Sequence, residues 1–185
     1  MNSVKILVQE HDNILRMLDV IHKASLKALQ GGEIDVDDFK KMVDFIRKYA
    51  DKTHHGKEEE YLFKVMVEDL GGAAEKLVRN GMLVEHDMGR LYVSDLDAAL
   101  DAYREDPADE NKLDILVAAG SYEHLLRRHI QKENEVVFTF GERSLSEKSA
   151  QWVEEQSEKF EKDSANIAQR EYQLGVLDEL EKKYS

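Results

Sequence analysis

An internal repeat is the sequence feature that most constrains how this chain can fold. A shift of 75 residues aligns the sequence with itself at several histidines and carboxylates. The aligned residues are Glu10-His11-Asp12 with Glu85-His86-Asp87, His54 with His129, and Glu58 with Glu133. Self-similarity at a fixed spacing normally reports a duplicated supersecondary unit. We therefore expect two structurally related halves.

The composition of both halves favours helices. Pro107 is the only proline, and the longest stretches lack glycine while being rich in Leu, Glu, Lys and Ala. Apolar residues such as Leu7, Ile14 and Leu18 recur at helical spacing. With four long helices and short connections, the sequence predicts an all-α protein, an antiparallel up-down four-helix bundle with a C-terminal helical extension.

Helix ends can be placed from capping residues and glycines. Asp35 is a plausible N-cap of the second helix, which should stop at Gly71-Gly72. Asn80-Gly81 is expected to break a short helix before the third long one. Residues 1–142 would then form the bundle as two pseudo-symmetric helix pairs, and residues 143–185 the extension.

The extension carries an apolar residue at every seventh position. These residues are Val153, Phe160, Ile167 and Leu174. A stripe of this kind usually packs against a core, so we expect the extension to pack on the bundle. A contact between subunits is the alternative, and the oligomeric state stays open.

Composition excludes several kinds of site and partner. The chain has no cysteine, which excludes disulfides, thiolate nucleophiles and thiolate metal ligands. A formal net charge of −13 argues against nucleic acid or an anionic membrane as a partner. The N-terminal segment reaches charged residues by Glu10, and no apolar run approaches the roughly 20 residues of a membrane span. We therefore expect a soluble, cytoplasmic protein.

The repeat also selects the residues that could act together. Each long helix would direct one histidine inward, and His54 and Glu58 share a helix face, as do His129 and Glu133. A single buried histidine is more often satisfied by a hydrogen bond, but a set in twofold register favours a metal site. Imidazole and carboxylate without sulfur suit iron, manganese or zinc. The predicted ligands, enough for two ions joined by both carboxylates, are His11, His54, Glu58, His86, His129 and Glu133.

Other polar residues near these positions are not predicted to bind metal. His55 aligns with Ile130 and Glu59 with Asn134, so neither has a counterpart that could act as a ligand, and we expect both to lie beside the ligands or in solvent. No catalytic residue is predicted. Gly89 could open a path for a small ligand, whereas close helix packing is the simpler interpretation.

Four motifs resemble the hemerythrin-like (HHE cation-binding) family. They are "QEHDNIL", "HHGKEEEYLF", "VEHDMGR" and "HIQKENEVVF", which occur in the family's order over most of the chain. The resemblance implies a four-helix bundle that holds two iron ions, bridged by carboxylates and an oxo or hydroxo group. It also implies a small-molecule ligand, O2, NO or peroxide, and ligation by the six residues named above.

One position departs from the oxygen carriers of that family. They have a second histidine one turn after the third-helix histidine, where this chain has Arg90. Simple reversible oxygen transport is therefore in doubt. The expected function is ligand binding for oxygen or NO sensing, storage or detoxification. The alternative is a di-iron enzyme, such as an NO or peroxide reductase, or an iron donor in iron–sulfur cluster repair.

Overall fold

A computed structural model describes residues 1–185 and folds the chain into six helices without a strand. The helices are α1 (Asn2–Leu29), α2 (residues 36–70), α3 (residues 72–105), α4 (residues 109–144), α5 (Glu147–Lys162) and α6 (Ser164–Lys183). The prediction of an all-α helical bundle is thus confirmed at the level of class. None of the six combines the length and the apolar character that crossing a membrane requires.

Most helix ends follow the local sequence. Asp35 caps α2, because its carboxylate accepts a hydrogen bond from the Asp38 backbone N–H at 3.1 Å. Gly71 separates α2 from α3 with a φ of +62°, a left-handed conformation that favours glycine. The predicted break at Asn80-Gly81 is wrong. A π-helical turn, Val78–Met82, carries α3 through these residues.

Wide π-helical turns interrupt the long helices near the predicted ligands. In α2 they are Ile46–His55 and Glu58–Phe63, and in α4 the turn is Glu133–Val137. Glu58 and Glu133 each begin such a segment and align under the 75-residue shift. The repeat therefore extends to a local backbone distortion of a kind that often occurs at functional sites. Ile46–His55 has no counterpart, because Asp109–Lys132 of α4 is α-helical.

Paired contacts show that neighbouring helices are antiparallel, because residue numbers rise along one helix as they fall along the other. Between α1 and α4 the pairs are His11 with Asn134, Asp19 with Arg127, and His22 with Glu123. Between α2 and α3 they are Lys40 with Asp97, Asp51 with Arg90, and Glu59 with His86. Each helix of these pairs therefore runs against its neighbour.

Helices α5 and α6 lie against α1 and α2. Arg16 of α1 forms an ion pair with Glu181, and the Tyr184 hydroxyl donates to Asp38 at 2.8 Å. Leu177 and Leu180 are fully buried in the same hydrophobic cluster as the bundle helices. The seven-residue stripe is divided between two helices, because Asp163 ends α5 and caps α6.

Two hydrophobic clusters lie at different levels of the bundle. Along α1, Leu7 belongs to the smaller cluster and Ile14 to the larger, with His11 between them. Along α2, Tyr49 belongs to the larger cluster and Leu62 to the smaller. The predicted ligands thus occupy a polar layer between two apolar ones.

Candidate metal centre

The six predicted ligands come together in this polar layer and are almost fully buried. Their exposed fractions are 0% or 1% for His11, His54, Glu58, His86, His129 and Glu133. Charged side chains are rarely buried to this degree unless they are paired or bind a metal. The buried carboxylates therefore need positive charge beside them, which protonated histidines or a metal ion can supply.

The four imidazoles form two pairs that meet through Nε2. The Nε2 atoms of His11 and His54 are 2.8 Å apart, and those of His86 and His129 are 3.1 Å apart. The two pairs are equivalent, because the 75-residue shift aligns His11 with His86 and His54 with His129. Each pair directs two nitrogen atoms at one point.

The two glutamates lie between the histidine pairs. Glu58 Oε1 is 3.4 Å from His54 Nε2, and Oε2 is 3.6 Å from His86 Nε2. Glu133 Oε2 is 3.2 Å from His11 Nε2, and Oε1 is 3.2 Å from His129 Nε2. Each carboxylate therefore faces one histidine of each pair.

None of these carboxylate oxygens has a hydrogen-bond partner. Both oxygens of Glu58 and both of Glu133 are buried and unsatisfied, although imidazole nitrogens lie close by. Leaving such a group buried and unpaired costs about 1–3 kcal/mol, and more when it is charged. Four orphaned oxygens facing four Nε2 atoms make a donor set that fits two hard or borderline metal ions.

Each of the four histidines is held by an acceptor at its other nitrogen. Nδ1 of His54 lies 3.0 Å from Glu10, and Nδ1 of His129 lies 3.0 Å from Glu85. Nδ1 of His86 lies 2.7 Å from Glu59, and Nδ1 of His11 lies 2.9 Å from Asn134. An acceptor at Nδ1 places the proton there and leaves the Nε2 lone pair for a metal, as in most metal-binding histidines.

Glu59 was expected beside the ligands or in solvent, whereas the sequence reasoning missed Glu10, Glu85 and Asn134, although the repeat contains them. Glu10 aligns with Glu85 under the same shift, and Glu59 aligns with Asn134. Asn134 is thus the equivalent of Glu59 as an acceptor for Nδ1, because an amide oxygen accepts a hydrogen bond as a carboxylate does. The signal that could have identified this pair is the acceptor oxygen that the Glu59 carboxylate and the Asn134 amide have in common.

His55 lies beside the second histidine pair without sharing its geometry. It is buried, and it could form a group of three metal-binding residues with His86 and His129. Its ring stacks on that of His86, however, with centroids 3.8 Å apart and planes inclined by 13°. One ion cannot lie in the planes of two stacked rings. We therefore interpret His55 as a neighbour of the centre, with its Nδ1 3.3 Å from Asp51.

A cavity of about 70 Å³ opens on the same side of the centre. Its lining residues are Ile46, Asp51, His55, His86, Gly89, Arg90, Val93 and Tyr122. The Tyr122 hydroxyl is buried without a partner, and a Cβ at position 89 would lie 3.6 Å from Leu126 and 3.7 Å from Tyr122. Gly89 thus contributes to the open space. Arg90 pairs with Asp51 and Glu59 and does not contact either central glutamate.

The carboxylates make the layer strongly attractive to positive charge. Burial alone would lower the pKa of His54, but Glu58 and Glu10 raise it to about 10. Burial likewise opposes the charges of Glu133 and Glu85, which raise the pKa of His129 to about 9. Surroundings that stabilise a proton on imidazole also stabilise a metal cation.

Metal binding is therefore expected to release protons. In the metal-free protein the carboxylates raise the pKa values of His54 and His129 to about 10 and about 9, so both are expected to carry two ring protons near pH 7. A metal ion at Nε2 must displace one proton from each, so about two protons should leave near pH 7. Affinity should rise as pH increases towards these pKa values. Anaerobic Fe²⁺ titration in weak buffer with a pH indicator measures the release, and binding independent of pH between 7 and 10 would contradict it.

Comparison with protein families gives one match. The family model described as Hemerythrin HHE cation binding domain matches residues 2–140. The matched region includes every residue of the polar layer and ends before α5. A comparison with curated proteins gives no match.

Proposed function

Because the chain belongs to the hemerythrin HHE cation-binding domain family, we propose that it is a non-haem di-iron protein that binds a small ligand. The observation that carries the proposal is the set of four buried carboxylate oxygens without partners, on Glu58 and Glu133. Iron tolerates this mixture of imidazole and carboxylate donors. The absence of sulfur ligands agrees with that assignment.

The geometry supports one ion at each histidine pair. His11 and His54 would hold the first ion, and His86 and His129 the second, with Glu58 and Glu133 shared. The antiparallel contacts support an up-down four-helix bundle over residues 1–142, with residues 143–185 as an extension packed on it. When bound, the iron pair would supply open coordination positions and reversible one-electron chemistry.

The residues of the chain would control which molecules reach the ions. The 70 Å³ cavity borders His86 and has room for a molecule of a few atoms. Phe63 stacks on His86 and Phe138 on His11, so apolar rings cover the layer from the side of the smaller cluster. These features support O2, NO or peroxide as the ligand, bound for sensing, storage or detoxification. A cytoplasmic location stays a prediction.

Iron content and ligand binding test this proposal together. Protein purified anaerobically from iron-replete cells should contain about two irons per chain, the number that the two histidine pairs accommodate. Exposure to O2 or NO should change the optical spectrum reversibly if the chain is a binding protein. Sustained consumption of NO or peroxide would instead favour the enzyme alternative. Failure to retain or take up any metal would reject both.

A variant at Gly89 tests the path of the ligand in the same assay. In Gly89→Leu the added side chain should fill the cavity and leave the iron content unchanged. If displacing that side chain adds about 1–3 kcal/mol to the barrier for entry, the usual cost of overpacking, the rate of ligand binding should fall about tenfold or more. The matched control is Gly120→Leu in α4, because no atom lies within 4 Å of a Cβ there. Equal rates of ligand binding by the two variants would exclude this cavity as the entry path.

A further inference from the structure

A buried lysine connects the C-terminal extension to the metal layer. Lys57 is only 3% exposed, and its Nζ lies 2.5 Å from Glu10 and 2.6 Å from Glu161. Glu10 is the residue that holds Nδ1 of His54, and Glu161 belongs to α5. A continuous chain of charged contacts thus runs from the extension to a predicted metal ligand.

Further contacts hold both residues of the Lys57–Glu161 pair in place. Arg170 of α6 pairs with the second oxygen of Glu161. The Nζ of Lys57 also lies 5.4 Å from the centre of the Phe160 ring, within the range of a cation–π contact. Lys57 therefore takes two of its partners, Glu161 and Phe160, from the extension.

The other half of the repeat has no such connection. Lys132 aligns with Lys57 and Glu85 with Glu10, and Lys132 pairs with Glu85 as Lys57 pairs with Glu10. The Lys132 side chain is 45% exposed, however, against 2% for that of Lys57, and it has no second carboxylate. The two halves of the repeat contribute equivalent predicted ligands. They differ in the lysine that contacts the glutamate next to those ligands.

We propose that Glu161 of the extension is a positioning residue for the ion held by His11 and His54, acting through Lys57 and Glu10. The inference rests on the proposed di-metal function. It gives the extension, which lies outside the matched family region, a specific role at one of the two ions.

The physical basis is the sharing of a buried positive charge. Lys57 donates to two carboxylates, so Glu161 takes part of its charge and leaves Glu10 more negative towards His54. Without that second carboxylate, Lys57 would interact with Glu10 alone. The Glu10 carboxylate would then polarise the Nδ1–H of His54 less, and Nε2 would be a weaker donor to the ion. Partners of metal-binding histidines act on affinity in this way.

Glu161→Gln tests the proposal, since it removes one charge and keeps the shape and the acceptor oxygen. The 185-residue chain would be loaded with two ⁵⁷Fe ions, and Mössbauer spectra would follow each ion during release to a chelator. One ion should leave on the order of tenfold faster, the lower end of the range for direct partners of metal-binding histidines, because Glu161 acts through Lys57 and Glu10. The other ion should be unaffected.

Three further variants identify the ion and control for charge. Glu10→Gln should speed release of the same ion as Glu161→Gln, whereas Glu85→Gln should speed release of the other. Glu158→Gln on the same helix is the matched control, because Glu158 is exposed and pairs only with Lys162. A merely structural role of Glu161 would affect both ions or neither.

The outcomes separate the two proposals. Equal release from Glu161→Gln and Glu158→Gln, in protein that binds two irons, would overturn the role of Glu161 alone. Faster release of both ions in Glu161→Gln would also overturn it. Failure of the wild-type protein to bind metal would reject the proposed di-metal function itself.

Discussion

Replacement of His54 by alanine is expected to remove at least one metal ion from the proposed di-metal centre, whereas replacement of the adjacent His55 should leave the metal content unchanged. His54 directs Nε2 at the centre and has Nδ1 held by Glu10, while His55 stacks on His86. Loss of a ligand should lower affinity more than the roughly 10- to 100-fold typical of an outer partner. Iron content after gel filtration against a weak chelator measures the difference.

The two variants are matched because the residues are adjacent and both are buried. Each removes one buried imidazole from α2, and each leaves a comparable space. A general loss of packing would therefore affect both proteins equally. Metal loss from His55→Ala but not from His54→Ala would show that the wrong histidine had been assigned.

The repeat explains why the convergence of the six candidate ligands could be predicted from the sequence. His54 and Glu58 lie four residues apart on one face of a helix, and a 75-residue shift finds the same arrangement at His129 and Glu133. Helical geometry and the twofold register then require that the side chains converge. The structure does bring all six predicted residues into one buried layer.

The π-helical turns could not be predicted, because they shift backbone hydrogen bonds without a distinctive side-chain pattern. Glu58 and Glu133 each begin such a turn, and Val78–Met82 carries α3 across Asn80-Gly81. Glycine and asparagine favour a break only when the surrounding packing does not hold the helix. Here Val78 and Met82 are buried in the smaller cluster, and this packing outweighs the local preference.

The burial of Lys57 depends on contacts between distant segments. Its neighbours Glu10 and Glu161 lie 47 residues before it and 104 residues after it in the chain. The aligned Lys132 is half-exposed, so the repeat predicts the wrong environment for one of the pair. Only the position of α5 against α2 makes the two lysines different.

The two halves of the layer therefore differ in complementary ways. The half with His11 and His54 is supported by the extension through Lys57. The half with His86 borders the cavity formed at Gly89. If iron occupies both positions, the second ion is the more accessible to a ligand, and the first is the more firmly held by its surroundings.

Removal of metal is expected to lower the stability of the chain without unfolding it. A ligand present at about 1,000 times its dissociation constant stabilises the folded state by about 4 kcal/mol. For a chain of this length, 1 kcal/mol shifts Tm by roughly 2–4 °C, so Tm should fall on the order of 10 °C. Thermal unfolding of iron-loaded and chelator-treated protein, followed by circular dichroism, measures the shift.

The chelated protein should nevertheless keep its helical content at low temperature. The clusters around Ile14 and Leu62 bury apolar side chains on both sides of the layer and do not depend on the ligands for their contacts. His129→Ala is the control, and the chelator should lower its Tm less than that of the wild-type protein, because the second ion has lost a ligand while the first keeps His11 and His54. Equal Tm values for loaded and chelated wild-type protein would show that no metal links the four helices. Complete unfolding on chelation would instead show that the apolar clusters alone cannot hold the bundle together.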